Sequence, residues 1–385
     1  MRPTTSSQLR LVLAGMLAMA AAMGIGRFVY TPILPAMLDE LGLSVAETGW
    51  IASANFLGYL LGAVLASGGW GGGRDRAIVV ASLAASTALL AAMALGEAIY
   101  WFVAVRFAAG LVAAFVLIFV SSAVMAGLAG TGREHLAHWN FAGVGLGIVA
   151  SSAMMFALQA TGGGWQAMWL WSGAISVACL AAVVLLYEKR DGAAPMPAPE
   201  PRFAAASAYW LLFAAYGLFG FAYIVTATYL VAIVRQGAAD PSFEALVWLA
   251  TGVAGIPSVW LWGRVARHIG PRGVFAAGSV VEAVGVAASV VLPSPAGPLV
   301  GGVLLGGTFI AMTALGLQAA RGLAGRSPRR GVALMTVAFS IGQIFGPIAA
   351  ALIAERTGNF TAPSMMAAAA LIVSGGLALA SRRAG

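Results

Sequence analysis

The stretch GIGRFVYTPILP, residues 24–35, places a single arginine, Arg27, just behind two glycines and ahead of two prolines. Residues 11–23, which precede it, contain no charged side chain. An apolar run of about 18 residues or more is long enough to cross a bilayer as a helix. An arginine in the middle of such a helix costs about 2.5–3.5 kcal/mol on insertion scales. The stretch therefore predicts a membrane-spanning helix in which Arg27 has a specific task.

The composition of the whole chain is that of a membrane protein. Of its 385 residues, 61% are hydrophobic and only 9% are charged, whereas soluble domains have roughly 25% charged residues. Long apolar runs recur throughout the chain, and the alternating segments of about 10 residues that are typical of a β-barrel are missing. We therefore predict an all-α, polytopic membrane protein. The single cysteine, Cys179, rules out a disulfide framework.

The apolar runs predict twelve transmembrane helices, six on each side of a polar segment. Residues 188–202, EKRDGAAPMPAPEPR, are charged and rich in proline and alanine, which is typical of a linker. We expect an N-terminal six-helix bundle in residues 1–187, a linker in 188–205 and a C-terminal bundle in 206–385. The predicted helices are Leu11–Leu38, Ala46–Ser67, Ala77–Leu95, Ile99–Leu128, Leu136–Leu158, Trp165–Tyr187, Ala206–Val234, Phe243–Trp262, Gly273–Leu292, Pro298–Ala320, Gly331–Ala354 and Ala362–Ala380.

The basic residues predict the orientation. Of the 21 lysines and arginines, 17 fall on one side of the predicted membrane, and only Arg235 and Arg356 fall in loops on the other side. By the positive-inside rule, the richer side is cytoplasmic. Both termini and the linker should then be cytoplasmic, in a multi-pass protein of the bacterial inner (plasma) membrane. The same rule accounts for the net charge of +8, so we expect no nucleic-acid partner.

Two short loops at equivalent places in the two halves indicate a duplicated unit. GGWGGGRDR, residues 68–76, follows the second helix, and GRVARHIGPR, residues 263–272, follows the eighth. Parallel repeats around a site at the middle of the membrane are a common design of secondary transporters. We expect these loops to hold the bundles together in one conformational state. The residues concerned are Gly73, Asp75, Arg76, Gly263, Arg267, Gly270 and Arg272.

On these motifs the chain resembles the major facilitator superfamily of secondary transporters. That family has a glycine and an Asp-Arg pair after its second helix, matched here by Gly73, Asp75 and Arg76, although the basic residues that usually follow are missing. RFAAG in the fourth helix and GQIFGP in the eleventh are also similar to family patterns. GIGRFVYTPILPAM and FAGVGLGI resemble the bacterial YbfB/YjiJ-like branch, which implies a fold and a transport activity but no substrate.

Arg27 is the strongest candidate for the substrate site. It lies roughly 24 Å along a helix that starts at Leu11, deep in the membrane. Its guanidinium suits a carboxylate or a phosphate, and Tyr30, at i+3, should share its face. Alternatively, Arg27 binds carbonyls freed by Pro32 and Pro35, or reaches outward to the membrane surface. Arg106 lies nearer the membrane surface, and its candidate role in binding or coupling comes from the family pattern.

The charges of the helices predict the sign of the substrate. The resemblance implies a cavity between the first, fourth, seventh and tenth helices, which contain Arg27 and Arg106 but no buried carboxylate. Such a cavity favours a solute with a negative group. Glu282, near the middle of the ninth helix, is the candidate for proton coupling. Further polar or adaptable side chains complete the candidate site. Contacts between helices are the favoured explanation for each of them alone, but we expect some of the set to face the cavity; these candidates are Asn55, Tyr216, Tyr223, Thr226, Thr308, Met312, Thr313, Ser340 and Gln343.

We therefore expect a monomeric secondary transporter that moves a small organic solute across the inner membrane by alternating access, with the proton as a candidate coupling ion. The sequence contains no H-E-x-x-H, Walker A, G-x-S-x-G or Cys/His motif, so it predicts no enzyme, no cofactor and no metal site. Three alternatives stay open at this point: a proton-coupled multidrug efflux transporter, a polytopic membrane enzyme, and a sensor that has a transporter fold but does not transport.

Overall fold

The computed structural model describes residues 5–67, 73–188, 201, 203, 206–237 and 240–384. Within these residues the regular secondary structure is helical, and eleven helices are long and apolar enough to cross a membrane. The helices are α1 (Thr5–Leu41), α2 (Val45–Ala66), α3 (Asp75–Ala92), α4 (Ile99–Leu128), α5 (His138–Thr161), α6 (Trp165–Leu186), α7 (Ser207–Gln236), α8 and α9 (together Pro241–Val291), α10 (Ala296–Leu323), α11 (Pro328–Thr357) and α12 (Thr361–Arg383).

The helix Pro241–Val291 contains two membrane crossings. Its 51 residues would extend about 77 Å as one straight helix, more than twice the hydrocarbon core of a bilayer. Gly270 divides it, because its φ of 74° is not helical. We therefore describe residues 241–269 as α8 and 271–291 as α9, which agrees with twelve crossings.

The prediction that residues 263–272 form a loop was wrong for most of this segment, because the break in the helix lies at Gly270. Gly263 and Arg267 lie in helix α8 rather than in a loop, and the helix ends only at Gly270. Arginine and alanine favour helix outside the membrane as well as inside it. A left-handed glycine followed by proline, here Gly270 and Pro271, ends one helix and begins the next.

Helix α1 is interrupted beside Arg27. Residues Ala20–Ile25 form a π-helix, and a turn follows at 26–29 before the helix resumes at Tyr30. Pro32 has no N–H to donate, and Thr31 N donates to Phe28 O at 3.2 Å. In a regular helix Thr31 N would donate to Arg27 O, so this shift leaves the Arg27 carbonyl free for another donor.

Glycines let α1 and α5 approach closely. A Cβ on Gly24 would overlap the main chain of Val144 and Gly147, and one on Gly143 would overlap the carbonyl of Met16. The GVGLG string in α5 is therefore a helix-packing feature, and it supports the backbone of α1 next to the interruption.

The two halves, α1–α6 and α7–α12, meet through equivalent helices. α2 packs against α11, and α5 packs against α8. When the two halves are matched in order, α2 corresponds to α8 and α5 to α11. The two contacts are therefore related by an approximate twofold axis, as expected for a duplicated unit.

One arginine in each half makes the same kind of contact. Arg76, at the start of α3, donates to Tyr187 O at 2.5 Å and to Val184 O at 2.9 Å, beside the end of α6. Arg272, at the start of α9, donates to Ser381 O at 2.5 Å, near the end of α12. In this structure both arginines bind within their own half. We predicted that these loops join the two bundles in one conformational state. That state is not the one described here, so the role stays a prediction.

The polar bonds between the halves extend from the middle of the bundle to one end. We call the ends the Asp39 end and the Arg76 end, after a residue at each. Arg235 of α7 pairs with Asp39 of α1 at 2.6 Å and with Glu244 of α8 at 2.7 Å. Nearer the middle, Thr31 donates to Ala227 O at 2.5 Å. Polar bonds therefore hold the two halves together at the Asp39 end.

Candidate functional site

Arg27 lies at the centre of the bundle, at the interface between the two halves. Its side chain is buried, at 4% exposure. Nη2 donates to Oε1 of Gln343 on α11 at 2.9 Å, and Nε2 of Gln343 donates to the hydroxyl of Tyr223 on α7. Three residues that the sequence predicted for the substrate site thus form one hydrogen-bonded chain across the interface.

Two aromatic rings of α2 flank the same guanidinium. The Cζ atom of Arg27 lies 4.4 Å from the ring centroid of Tyr59 and 4.6 Å from that of Phe56. Both distances are within the range of cation–π attraction, which is stronger where water is excluded. The two rings therefore stabilise the charge of Arg27. The Nε atom of Arg27 has no hydrogen-bond partner among the described residues.

No described carboxylate lies within ion-pair distance of Arg27. Its hydrogen-bond partner, Gln343, is neutral. A buried charge is costly unless it is paired, and the neighbouring amide and rings offset only part of that cost. The site therefore contains a buried positive charge that no described carboxylate neutralises.

Arg106 has a different environment. Nη1 donates to Gly26 O and Nη2 to Arg27 O, both at 2.9 Å. These carbonyls belong to the interrupted segment of α1, so Arg106 satisfies backbone acceptors that the interruption leaves free. The structural role that the sequence offered as an alternative for Arg27 is thus performed by Arg106.

Tyr30 makes other contacts than Arg27, although both side chains meet α2. The hydroxyl of Tyr30 donates to Thr48 O at 3.0 Å, and its ring centroid lies 5.2 Å from Cζ of Arg106. Tyr30 therefore belongs to the surroundings of Arg106.

Two of the remaining candidates bond to backbone. Asn55 Nδ2 donates to Arg106 O at 2.9 Å, which joins α2 to α4. Tyr216 donates to the carbonyl of Thr313 at 2.8 Å and, like Tyr223, stacks on Phe339, so the two tyrosines lie on one face of α7. These contacts hold helices together around the site.

Besides Nε of Arg27 and Nε of Arg106, three buried polar atoms on helices around the site have no hydrogen-bond partner among the described residues. They are Oδ1 of Asn55, Oγ1 of Thr226 and Oγ of Ser340, from α2, α7 and α11. Thr313, in contrast, bonds to the carbonyl of Phe309 in its own helix. Unpartnered polar groups of this kind are available to a bound solute.

Glu282 is fully buried on α9 and faces α10. Its Oε2 accepts a hydrogen bond from Thr308 Oγ1 at 2.9 Å, and its Oε1 has no partner among the described residues. Thr308 thus contacts Glu282 rather than the Arg27 chain. The next residue along α10, Phe309, stacks on Tyr223. Helix α10 therefore contacts both Glu282 and the hydrogen-bonded chain of Arg27, Gln343 and Tyr223.

The sequence did not predict the phenylalanines or Tyr59 beside Arg27, because these residues were not among the candidates. Phe56 follows Asn55 directly, and Tyr59 follows Phe56 by three residues. This spacing places Phe56 and Tyr59 on one side of α2. This spacing beside a membrane arginine could have indicated the cation–π contacts.

The fold is that of the major facilitator transporters. A mutant form of the nucleoside transporter NupG has a TM-score of 0.75 at 14% identity, over 97% of this chain and 99% of that chain. A bacterial homologue of the human lysosomal transporter Spinster, in an inward-facing and unoccupied conformation, has a TM-score of 0.74 at 13% identity, over 99% and 98% of the two chains. For PepTSo, a transporter of the POT family, the TM-score is 0.73 at 13% identity, with the same coverage.

The chain belongs to the family described as "Uncharacterised MFS-type transporter YbfB", whose model matches residues 19–379. A search of curated proteins finds no match. The resemblance predicted from the sequence is therefore confirmed, and the protein is a multi-pass membrane transporter rather than an enzyme.

Proposed function

We propose that this transporter moves a small organic solute through a negatively charged group that binds Arg27. The observation that carries the proposal is the buried guanidinium, which has a neutral hydrogen-bond partner and no described carboxylate within ion-pair distance. A bound anion would complete the site with a charge-assisted, bidentate pair. Arg106 does not compete for it, because its two Nη atoms are held by carbonyls.

The interface suggests how the site would open. Arg27 lies on α1 and Gln343 on α11, so their bond joins the two halves. When the halves rock about the centre, the arginine and the amide separate, and Nη2 becomes free for the solute. In alternating access, Arg27 would then exchange its bond to Gln343 for a bond to the solute.

The orientation of the protein is a second part of the proposal. We place the Arg76 end in the cytoplasm, because the loops at that end hold most of the basic residues. The Asp39 end, where polar bonds join the two halves, is then periplasmic. On this orientation, the structure corresponds to a state closed to the periplasm. Reporters fused in the 188–202 linker and at the C-terminus test this orientation, and periplasmic activity at either position would overturn it.

The coupling ion is proposed to be the proton, with Glu282 as its carrier. A carboxyl with one oxygen accepting from Thr308 and the other without a described partner can hold a proton on the free oxygen. Phe309, next to Thr308, connects α10 to Tyr223 and so to the Arg27 chain. A change of charge at Glu282 could therefore alter the packing against the substrate site.

Binding and uptake with Arg27 variants test the proposed function. Purified protein is screened by thermal shift against organic anions and neutral or cationic drugs, and hits are tested for uptake into proteoliposomes. Arg27→Ala should abolish anion binding, and Arg27→Lys should weaken it because the planar fork is lost. Arg264→Ala, which removes an exposed arginine at the Arg76 end, is the matched control.

Three results would count against the proposal. If Arg27→Ala stays monodisperse and binds the anion with unchanged affinity, Arg27 is not the anion site. If only cationic or neutral drugs bind and are transported, the protein is a multidrug transporter. If ligands bind but no solute is taken up under any gradient, the protein senses its ligand without transporting it.

A further inference from the structure

A stack of aromatic rings adjoins the Arg27 site. The ring of Tyr223 is nearly parallel to those of Phe219, Phe309 and Phe339, at interplanar angles of 18°, 11° and 16°. The ring centroids lie 5.6, 5.8 and 5.5 Å from that of Tyr223. Parallel, offset rings at these distances attract one another beyond simple burial of apolar surface. Three helices, α7, α10 and α11, contribute to the stack.

The stack is joined to the charged site at Tyr223. Its hydroxyl accepts from Gln343, which in turn accepts from Arg27 at 2.9 Å. From the other half of the molecule, Phe28 meets Phe309 edge-on at a centroid distance of 5.4 Å. A flat aromatic surface and a single available cation therefore lie side by side at the interface that must open during transport.

The geometry of the Arg27 guanidinium favours a carboxylate as the anion. Arg27 donates to a side chain of the other half, Gln343, whereas both Nη atoms of Arg106 donate to the carbonyls of Gly26 and Arg27 within its own half. One guanidinium fork matches one carboxylate in geometry and in charge.

From this juxtaposition we propose that the solute is an aromatic monocarboxylate. Its carboxylate would replace Gln343 as the partner of Arg27, and its ring would lie against the Tyr223 stack. When the halves separate, Phe309 loses its contact with Phe28, and the ring of the solute would restore an aromatic contact there. This inference rests on the proposed function, because it requires Arg27 to bind an anion.

Matched ligands separate the two proposals. Benzoate and cinnamate are compared with their saturated counterparts, cyclohexanecarboxylate and cyclohexylpropanoate, and with the neutral benzamide and cinnamamide. Calorimetry on purified protein measures each affinity. We expect the aromatic acids to bind about tenfold more tightly than the saturated acids, and the amides to bind more weakly than the acids by at least that factor.

Each deviation has a distinct meaning. Equal affinities for aromatic and saturated acids would overturn the aromatic inference and leave the anion site in place. Equal affinities for the acids and their amides would overturn the proposed function. Binding of none of the four acids, in protein that remains monodisperse, would overturn both.

Two variants locate the ring-binding surface. Phe339→Leu and Phe309→Leu remove one ring of the stack and keep apolar bulk, so each should reduce the aromatic-to-saturated affinity ratio towards one while the acid-to-amide ratio persists. Phe102→Leu is the matched control, since Phe102 is fully buried on α4 and contacts Trp165. If both stack variants keep the wild-type ratio, the stack is not the ring-binding surface and the inference fails.

Discussion

Arg106 donates through Nη2 to the main-chain carbonyl of Arg27 at 2.9 Å. The two buried arginines of the N-terminal half thus lie next to each other but have different partners. Arg106 binds the backbone of the interrupted α1, whereas the guanidinium of Arg27 binds the side chain of Gln343. One arginine therefore holds the shape of the site, and we propose that the other binds the solute.

The first prediction concerns this division of roles. Arg106→Gln should lower the thermal stability, because the carbonyls of Gly26 and Arg27 lose their donors and a buried unsatisfied group costs about 1–3 kcal/mol. Thermal unfolding in detergent measures the effect, with the exposed Arg264→Gln as control. A midpoint for Arg106→Gln equal to that of the control would show that these bonds do not support α1.

A second prediction tests the charge of Arg27 without removing it. Gln343→Glu places a carboxylate at the atom that now lies 2.9 Å from Nη2 of Arg27. The internal ion pair should preserve folding and compete with the solute, so the affinity for an anion should fall by more than tenfold. Gln343→Met, which adds no charge, should weaken binding less. Calorimetry that ranks the two variants in the opposite order would contradict the anion site.

The third prediction concerns coupling. Glu282→Gln keeps the hydrogen bond from Thr308 but cannot change its charge. We expect it to abolish uptake driven by a pH gradient while counterflow exchange continues, since exchange needs no net proton movement. Glu97→Gln, an exposed residue between α3 and α4, is the control. Unchanged pH-driven uptake in Glu282→Gln proteoliposomes would remove Glu282 from the mechanism.

The last prediction compares two glycines. A Cβ on Gly110 of α4 would overlap the carbonyl of Asn55 on α2, whereas a Cβ on Gly307 of α10 meets no atom within 4 Å. Gly110→Ala should therefore destabilise the protein by about 1–3 kcal/mol through overpacking. Gly307→Ala should be neutral or stabilise it by up to about 1 kcal/mol, because alanine favours helix. Equal unfolding midpoints for the two variants would refute the close α2–α4 contact.

The sequence was sufficient for the features that depend on local composition. Apolar length predicts a crossing helix because the bilayer excludes unsatisfied backbone polar groups, and this physics does not depend on the neighbouring helices. The unusual position of Arg27 was visible for the same reason, since a charge in an apolar run is costly wherever that run packs. The two similar segments after the second and eighth helices added the prediction of a duplicated six-helix unit.

The tertiary structure decided which groups surround each charge. Gln343 follows Arg27 by 316 residues, and no local spacing could predict their contact, because it arises from the docking of α1 against the C-terminal half. The contacts of Tyr30 with Thr48 and Arg106 were equally beyond the reach of local spacing, because they depend on the packing of α1 against α2 and α4. The structural role of Arg106 has the same physical origin: a carbonyl freed by an interrupted helix is satisfied by whichever donor the packing of the other helices brings within reach.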